Sequence, residues 1–447
     1  MQQALRHRGG APEAAAPHPD AEEEGAERRA PPTCSRVSSL ASSHLREVFN
    51  SRLAVSILCA AVGIMLFGSL RVSEQSCVQS IVRAFESGTI AGFPESECVF
   101  HHSDEYVQRP AVHANLIDLL HPPSKWDKRF ALIVGAKGTG KSTELMHAVY
   151  ALRKEPGGAG VVYLLIRVHV RAFGGDLAAA TRFEPPVAWG DYFSRAWAAN
   201  PGSAVEPASA WESVEPWLLK AAKAYKTKHG RPAVLVLDAA DFIAKADPPL
   251  FMKLLEFAKA ASDAGTLRVV FGSSEGHVLP LLEKVSARSR ALKPYEIGDL
   301  SDADAVKFVV KRGVPPDQAR ELVSTVAGGR FSTLGSLAES VKGGDTVPTI
   351  RAEMWTRTQS RLSYLGLLPA AGHPLFLALV QSSRLNHVSA VSLLEAGGLS
   401  HEAAWAMLDK LLETNILAVH PDGTVTAHDR FVQTYLTSEI PQEPAGL

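Results

Sequence analysis

The sequence predicts an α/β fold on a parallel sheet, preceded by a single transmembrane helix and followed by a C-terminal winged-helix domain. Three observations carry that reading. Apolar runs recur at Phe130–Val134, Val161–Ile166, Ala233–Leu237 and Leu267–Phe271, as in strands covered on both faces. Helix-patterned segments separate them. Between the first run and the first such segment lies Gly135-Ala136-Lys137-Gly138-Thr139-Gly140-Lys141-Ser142, which has the spacing G-x-x-x-x-G-K-[ST].

That octapeptide is a P-loop in its proper strand–loop–helix setting. Successive backbone N–H groups and the start of the helix cradle phosphates there. Residues Gly135 to Ser142, with Thr143 in the first helical turn, form the expected cofactor-binding set. Lys141 would reach the β/γ-phosphates and Ser142 would help hold Mg²⁺. A plain glycine-rich turn between a strand and a helix is the alternative.

The bulk numbers set wide bounds. A chain of 447 residues has room for two or three domains, and 46% apolar content is ample for a core. With 46 basic and 47 acidic residues, global charge does not point to a nucleic-acid partner. Cys34, Cys59, Cys77 and Cys98 all precede the P-loop and have no zinc spacing. Thiols are expected, with a Cys77–Cys98 pair as the alternative in an oxidising space.

Taken in order, residues 1–50 are rich in Ala, Pro, Ser, Glu and Arg without apolar periodicity, and read as a disordered tail. Leu53–Leu70 carries no charge over eighteen positions between Arg52 and Arg71. It reads as a membrane span, with a buried hydrophobic helix as the alternative. Arg36, Arg46 and Arg52 before it, against Arg71 and Arg83 after it, give a slight inside bias to the N-terminus. Use of a nucleotide excludes the cell exterior, so an intracellular membrane is expected, with a mitochondrial one favoured. Residues 71–102 read as a linker, and 103–297 as the nucleotide-binding core.

Within the core, Ala233–Asp238 is a buried strand ending in an acid, the Walker B pattern, at the sheet edge where ligands bind. Asp238 would hold Mg²⁺ through water. The next position, where many such enzymes carry Glu, is Ala239. Asp241 is therefore the candidate for orienting the attacking water, with a helix cap or solvated turn residue as the alternative. The tip of the strand at Leu267–Phe271 offers Ser273 or Ser274 as a γ-phosphate sensor, or a plain turn. Arg288 and Arg290 follow; either could neutralise transition-state charge, in cis or in a neighbouring subunit, with Arg290 taken as the catalytic candidate and two plain surface arginines as the alternative.

From about Tyr106 to Tyr435 the chain resembles the AAA+/STAND class of P-loop ATPases, in the branch that includes archaeal-type and Orc/Cdc6-like ATPases. The P-loop and Walker B residues carry the resemblance. Glu105-Tyr106-Val107-Gln108-Arg109-Pro110, followed by Leu116–Leu120, is similar to the opening motif of that class. It implies that Arg109 and the Tyr106–Val107 backbone border an adenine, although Gln108 stands where Gly is usual. Ile297–Ala305 resembles the start of a helical lid over 298–345. Gly328-Gly329-Arg330 resembles the lid motif that touches nucleotide, which implies a sensing role for Arg330, with Phe331 replacing the usual Pro. The resemblance therefore implies a P-loop NTPase sheet with a helical lid, and ATP with Mg²⁺ as cofactors.

Residues 346–447 read as winged-helix-like. Leu375–Val380, Ala390–Glu395 and Glu402–Leu412 are helix-patterned, and Ile416–Val419 and Thr424–Ala427 flank an Asp422-Gly423 turn. The third helix would set Glu402, Asp409 and Glu413 against Lys410, facing a phosphate backbone poorly. Internal packing or regulation is favoured over DNA binding. The expected function is a membrane-anchored ATPase that switches or assembles with a protein partner, with homo-oligomerisation open. The alternatives are a nucleotide-gated scaffold with little turnover, or a membrane-tethered nucleic-acid-binding ATPase.

Overall fold

The computed structural model describes residues 59, 62, 63, 74–92, 106–167, 170–183, 208–274, 278, 281, 282, 287–368 and 373–440. The chain divides into two units, Met1–Gly68 and Ser69–Leu447, and the sheet and its helices belong to the second. Apart from Cys59, Val62 and Gly63, the proposed span at 53–70 lies outside the described residues, as do the tail 1–50 and Cys98. Among the described residues, no helix is long and apolar enough to cross a membrane.

The four apolar runs, with a two-residue strand added at each edge, form a six-stranded parallel sheet: β1 (Ile90–Ala91), β2 (Ala131–Val134), β3 (Val161–Leu165), β4 (Ala233–Asp238), β5 (Leu267–Ser273) and β6 (Tyr295–Glu296), in the order β1-β3-β4-β5-β2-β6. Their side chains alternate between two cores, which is why the sequence shows runs rather than alternation. Leu132, Val134, Val162, Leu235, Leu237 and Phe271 face one core. It is completed by α1 (74–87), α4 (Phe173–Ala180), α5 (Ala208–His229) and α7 (Pro248–Ala264). Ile133, Tyr163, Val234, Val236 and Val270 face α2 (Pro110–Leu120) and α3 (Lys141–Leu152) on the other side. Residues read as a linker thus supply α1, whose Ile81 and Phe85 are fully buried, and the edge strand β1.

Local chemistry sets the helix boundaries. Pro110 and Pro248 sit in the first turns of α2 and α7, where no N–H partner is lost. Asp247 caps α7 by accepting from Leu250 N at 3.0 Å. The short helix α6 (Asp241–Ala246) precedes it.

Beyond the sheet come α8 (Asp302–Lys311), α9 (Pro316–Leu322), a π-helical turn Val323–Ala327, α10 (Phe331–Lys342) and α11 (Val347–Tyr364). The C-terminal elements are α12 (Pro374–Ser382), β7 (Leu385–Asn386), α13 (His387–Ala396), α14 (His401–Glu413), β8 (Leu417–Val419), β9 (Thr424–Ala427) and α15 (Arg430–Glu439). Strands β7-β9-β8 form an antiparallel sheet. Helices α8 to α10 and these last elements bury one shared core, from Leu300 and Phe308 through Leu375 and Leu411 to Tyr435.

Candidate nucleotide-phosphate site

The P-loop leaves β2 at the C-terminal edge of the sheet and enters α3. Gly138 has φ 85°, in the left-handed region, and a Cβ there would run into the Ser332 hydroxyl of α10. Ser332 N donates to Gly138 O at 3.2 Å, so the start of α10 rests on the loop. Lys141 is buried and donates to Gly135 O at 2.6 Å and Ala136 O at 3.0 Å. Burial pushes its ammonium down to about 8, against the pull of Asp238 and Asp241. Thr143 is exposed on α3.

The order of the sheet explains why the acids meet the loop. Strand β5 lies between β2 and β4, so the tips of all three converge. Asp238 ends β4 and is 2% exposed; its Oδ1 accepts from Ala239 N at 2.9 Å and its Oδ2 from the Tyr163 hydroxyl at 2.6 Å. The Ser142 side chain lies near enough to the same phenol to act on it. Burial, with the Asp238 carboxylate beside it, pushes the Tyr163 phenol well above its usual range. A Cβ at Gly272 would run into Asp238 Oδ1, so only glycine at this point of β5 leaves the carboxylate its seat.

Ala239 turns the chain at φ 58°, an uncommon conformation for a residue with a side chain. The turn makes Asp241 the first residue of α6. Asp241 does not cap that helix. It accepts from Ser273 Oγ at 2.8 Å and Ser274 N at 2.5 Å, tying α6 to the tip of β5. Ser273 is thereby engaged by Asp241, whose charge acts on Lys141.

Arg109 reaches the loop from outside, donating to Thr139 O at 3.1 Å and Gly298 O at 2.9 Å. Tyr106 stacks on His147 at 3.6 Å and donates to Glu144 at 2.9 Å. Burial pushes the Glu144 carboxyl up, against that hydrogen bond.

Arg330 is 3% exposed, and all five of its N–H groups are engaged. Nε and Nη2 donate to Asp299 at 2.5 and 3.1 Å, Nη1 to Lys137 O at 2.9 Å and His428 Nε2 at 3.0 Å, and Nη2 also to His428 O at 2.6 Å. Accepting through Nε2 leaves the His428 proton on Nδ1, which faces Asp429 Oδ2 at 3.2 Å. A cavity of about 400 Å³ adjoins this junction, lined by Ala136, Thr139, Asp299, His420 and His428 among others. Two side-chain contacts also join the C-terminal elements to this region: His420 hydrogen-bonds Glu296 of β6 at 2.6 Å, and Glu413 pairs with Lys245 of α6 at 3.0 Å.

Lys141, Ser142, Asp238, Asp241, Ser273, Arg109 and Arg330 therefore lie in and around one site. Arg290 does not. Its carbonyl accepts from Phe130 N, at the N-terminal end of β2, and its side chain pairs with Asp263 at 2.7 Å. Strands rise about 3.3 Å per residue, so the five steps from Phe130 to Gly135 separate it from the loop by roughly 16 Å. The parallel direction of β2 is the reason, and it removes Arg290 as a charge-neutralising group in cis. The Arg288 side chain lies outside the described residues. Tyr163, Glu144, Asp299 and His428 belong to the site without having been singled out by motif. Tyr163 had one available signal: a phenol inside an apolar strand must find a hydrogen-bond partner.

The donor set fits Mg²⁺. A serine hydroxyl and a carboxylate are hard oxygen ligands, and a cation that keeps waters and takes phosphate oxygens needs few protein ligands. Among the described residues, no group of three or more His, Cys, Asp or Glu would hold a metal alone.

No family model matches the chain, and no curated protein matches it significantly. Among solved structures, the chain is similar to the Walker-type ATPase of Pyrococcus abyssi, at 16% identity and TM-score 0.48, over 74% of this chain and 96% of that one. It is also similar to Cdc6p from Pyrobaculum aerophilum, at 16% identity and TM-score 0.37, over 78% and 100%. A third is the Aeropyrum pernix Orc1 protein in complex with DNA, at 16% identity and TM-score 0.36, over 76% and 95%. With its P-loop between β2 and α3, at the C-terminal edge of a parallel sheet packed by helices on both faces, the chain has the α/β fold of P-loop NTPases.

Proposed function

We propose that the chain is a membrane-anchored ATP-binding protein with ATPase activity, whose nucleotide state moves the C-terminal elements against the sheet to switch or assemble with a protein partner. The observation that supports it best is the continuity from the P-loop to the C-terminal elements through Arg330. Lys141 supplies positive charge for the β/γ-phosphates. Ser142 and Asp238 would hold Mg²⁺, which neutralises phosphate charge when bound. Asp241 orients the attacking water, and Arg109 with the Tyr106–Val107 backbone borders the base. The anchor rests on Leu53–Leu70, and need for ATP assigns it to an intracellular membrane, with the mitochondrial one preferred. ATP rather than GTP rests on the class resemblance.

Two features favour the second reading, a nucleotide-gated scaffold with little turnover. Ala239 stands where a catalytic Glu is common, and Asp241 already accepts from Ser273 and Ser274. The winged-helix reading of residues 346–447 is kept, with a regulatory role. Its third helix would be α14, where Glu402 and Glu413 disfavour a phosphate backbone and Glu413 pairs with Lys245.

The test is ATP binding and hydrolysis by the full chain in detergent, comparing wild type with Lys141→Ala and Asp241→Asn. Loss of turnover in both, with binding kept in Asp241→Asn, is the expected result for an ATPase. Tight binding without turnover in the wild type selects the scaffold. Absence of nucleotide binding overturns both.

A further inference from the structure

Tyr163 lies on β3 opposite Val236 of β4 in the parallel register, and Asp238 is two residues further along, on the same face of the sheet. The phenol spans that offset. Its hydroxyl donates to Asp238 Oδ2 at 2.6 Å, with the Ser142 side chain near enough to act on it, while its ring is fully buried beneath α3. The two residues expected to hold the cation thus both neighbour one side chain from a third element.

A hydroxyl that ligates a cation through oxygen must send its own proton elsewhere. Asp238 Oδ1 is occupied by Ala239 N, and Asp238 Oδ2 by the phenol, so the carboxylate has one fixed orientation. We propose that Tyr163 is a positioning residue for the divalent cation of the nucleotide complex. Its oxygen takes the Ser142 proton, which turns the serine lone pairs toward the phosphate loop, and its own proton holds Asp238 facing the same point. The inference rests on the proposed nucleotide binding. Partners that orient metal ligands typically change metal affinity about 10- to 100-fold when removed.

The experiment uses the full chain and a fluorescent ATP analogue, first in EDTA and then with Mg²⁺ titrated in. Tyr163→Phe is expected to bind the analogue as wild type does in EDTA, and to need on the order of 10- to 100-fold more Mg²⁺ to reach the Mg²⁺-bound complex. Equal Mg²⁺ requirements would show that the phenol only fills its strand position, and a lower requirement would show that it obstructs the cation; either overturns the proposal. A wild type that binds no analogue under either condition instead overturns the nucleotide reading, and this inference with it. Tyr163→Phe leaves a buried carboxylate short of a partner, and that variant has a folding risk. Tyr163→Phe/Asp238→Asn relieves the charge, and comparison with Asp238→Asn alone isolates the Ser142 arm. A several-fold higher Mg²⁺ requirement in the double variant supports the proposal, and no difference overturns it.

Discussion

Lys141 holds its charge against burial, and two pH effects of opposite sign result. Its folded value of about 8 lies below the roughly 10.4 of an unfolded lysine. Between those values the unfolded chain binds the extra proton, so this group makes the nucleotide-free fold more stable as pH rises through that window. Phosphate binding wants the ammonium, so ATP affinity is expected to be flat below about pH 8 and to fall by up to ~tenfold per unit above it. A binding series across that range checks this, and Lys141→Met should abolish the fall. At Gly272 the issue is space. Gly272→Ala puts a methyl where Asp238 Oδ1 sits, so the carboxylate or the strand must move. Mg²⁺-free nucleotide binding should persist while the Mg²⁺-dependent gain shrinks, as read by titration calorimetry with and without EDTA.

Among the elements, the junction of α10 with the sheet turns on two backbone contacts. Ser332 N meets Gly138 O, and Leu300 N meets Gly329 O at 3.0 Å. A Cβ at Gly329 would collide with the Leu300 carbonyl, so Gly329→Ala should destabilise the chain by about 1–3 kcal/mol, the usual range for overpacking; urea unfolding measures it. The strands and most helices were legible because periodicity and caps are local: the runs at 161–166 and 233–237 became β3 and β4, and Ser400 caps the expected third helix of the C-terminal region. Local pattern could not show that residues 74–91 complete the sheet, since β1 contributes only two residues to it. Nor could it show the boundary at 345 dissolving into a shared core. Motif spacing alone singles out Lys141, Ser142 and Asp238, which the sheet brings to one edge. That Arg290 stands away from the loop in its own chain was not legible, because sequence distance does not tell which edge of a strand a residue reaches, and Tyr163 was not singled out because its partner lies 75 residues away on a neighbouring strand.

For the whole molecule, Arg330 is the side chain that the P-loop, the segment around Asp299 and the C-terminal elements have in common. Removing one partner of a buried ion pair costs about 3–5 kcal/mol, so Arg330→Ala should lower stability by about that much. Hydrogen exchange in the full chain should then quicken across β8, β9 and α15, while β3, β4 and β5 keep their protection. His428→Ala should quicken the same segments less, because Asp299 still holds the guanidinium.

A guanidinium has five protons to give, and Arg330 has given them all. A phosphate oxygen that recruited one of them would have to take it from Lys137, Asp299 or His428, and only the two held by His428 tie the arginine to the C-terminal elements. Losing one of those would thin the tie rather than cut it, since the second proton on His428 and both on Asp299 would stay where they are.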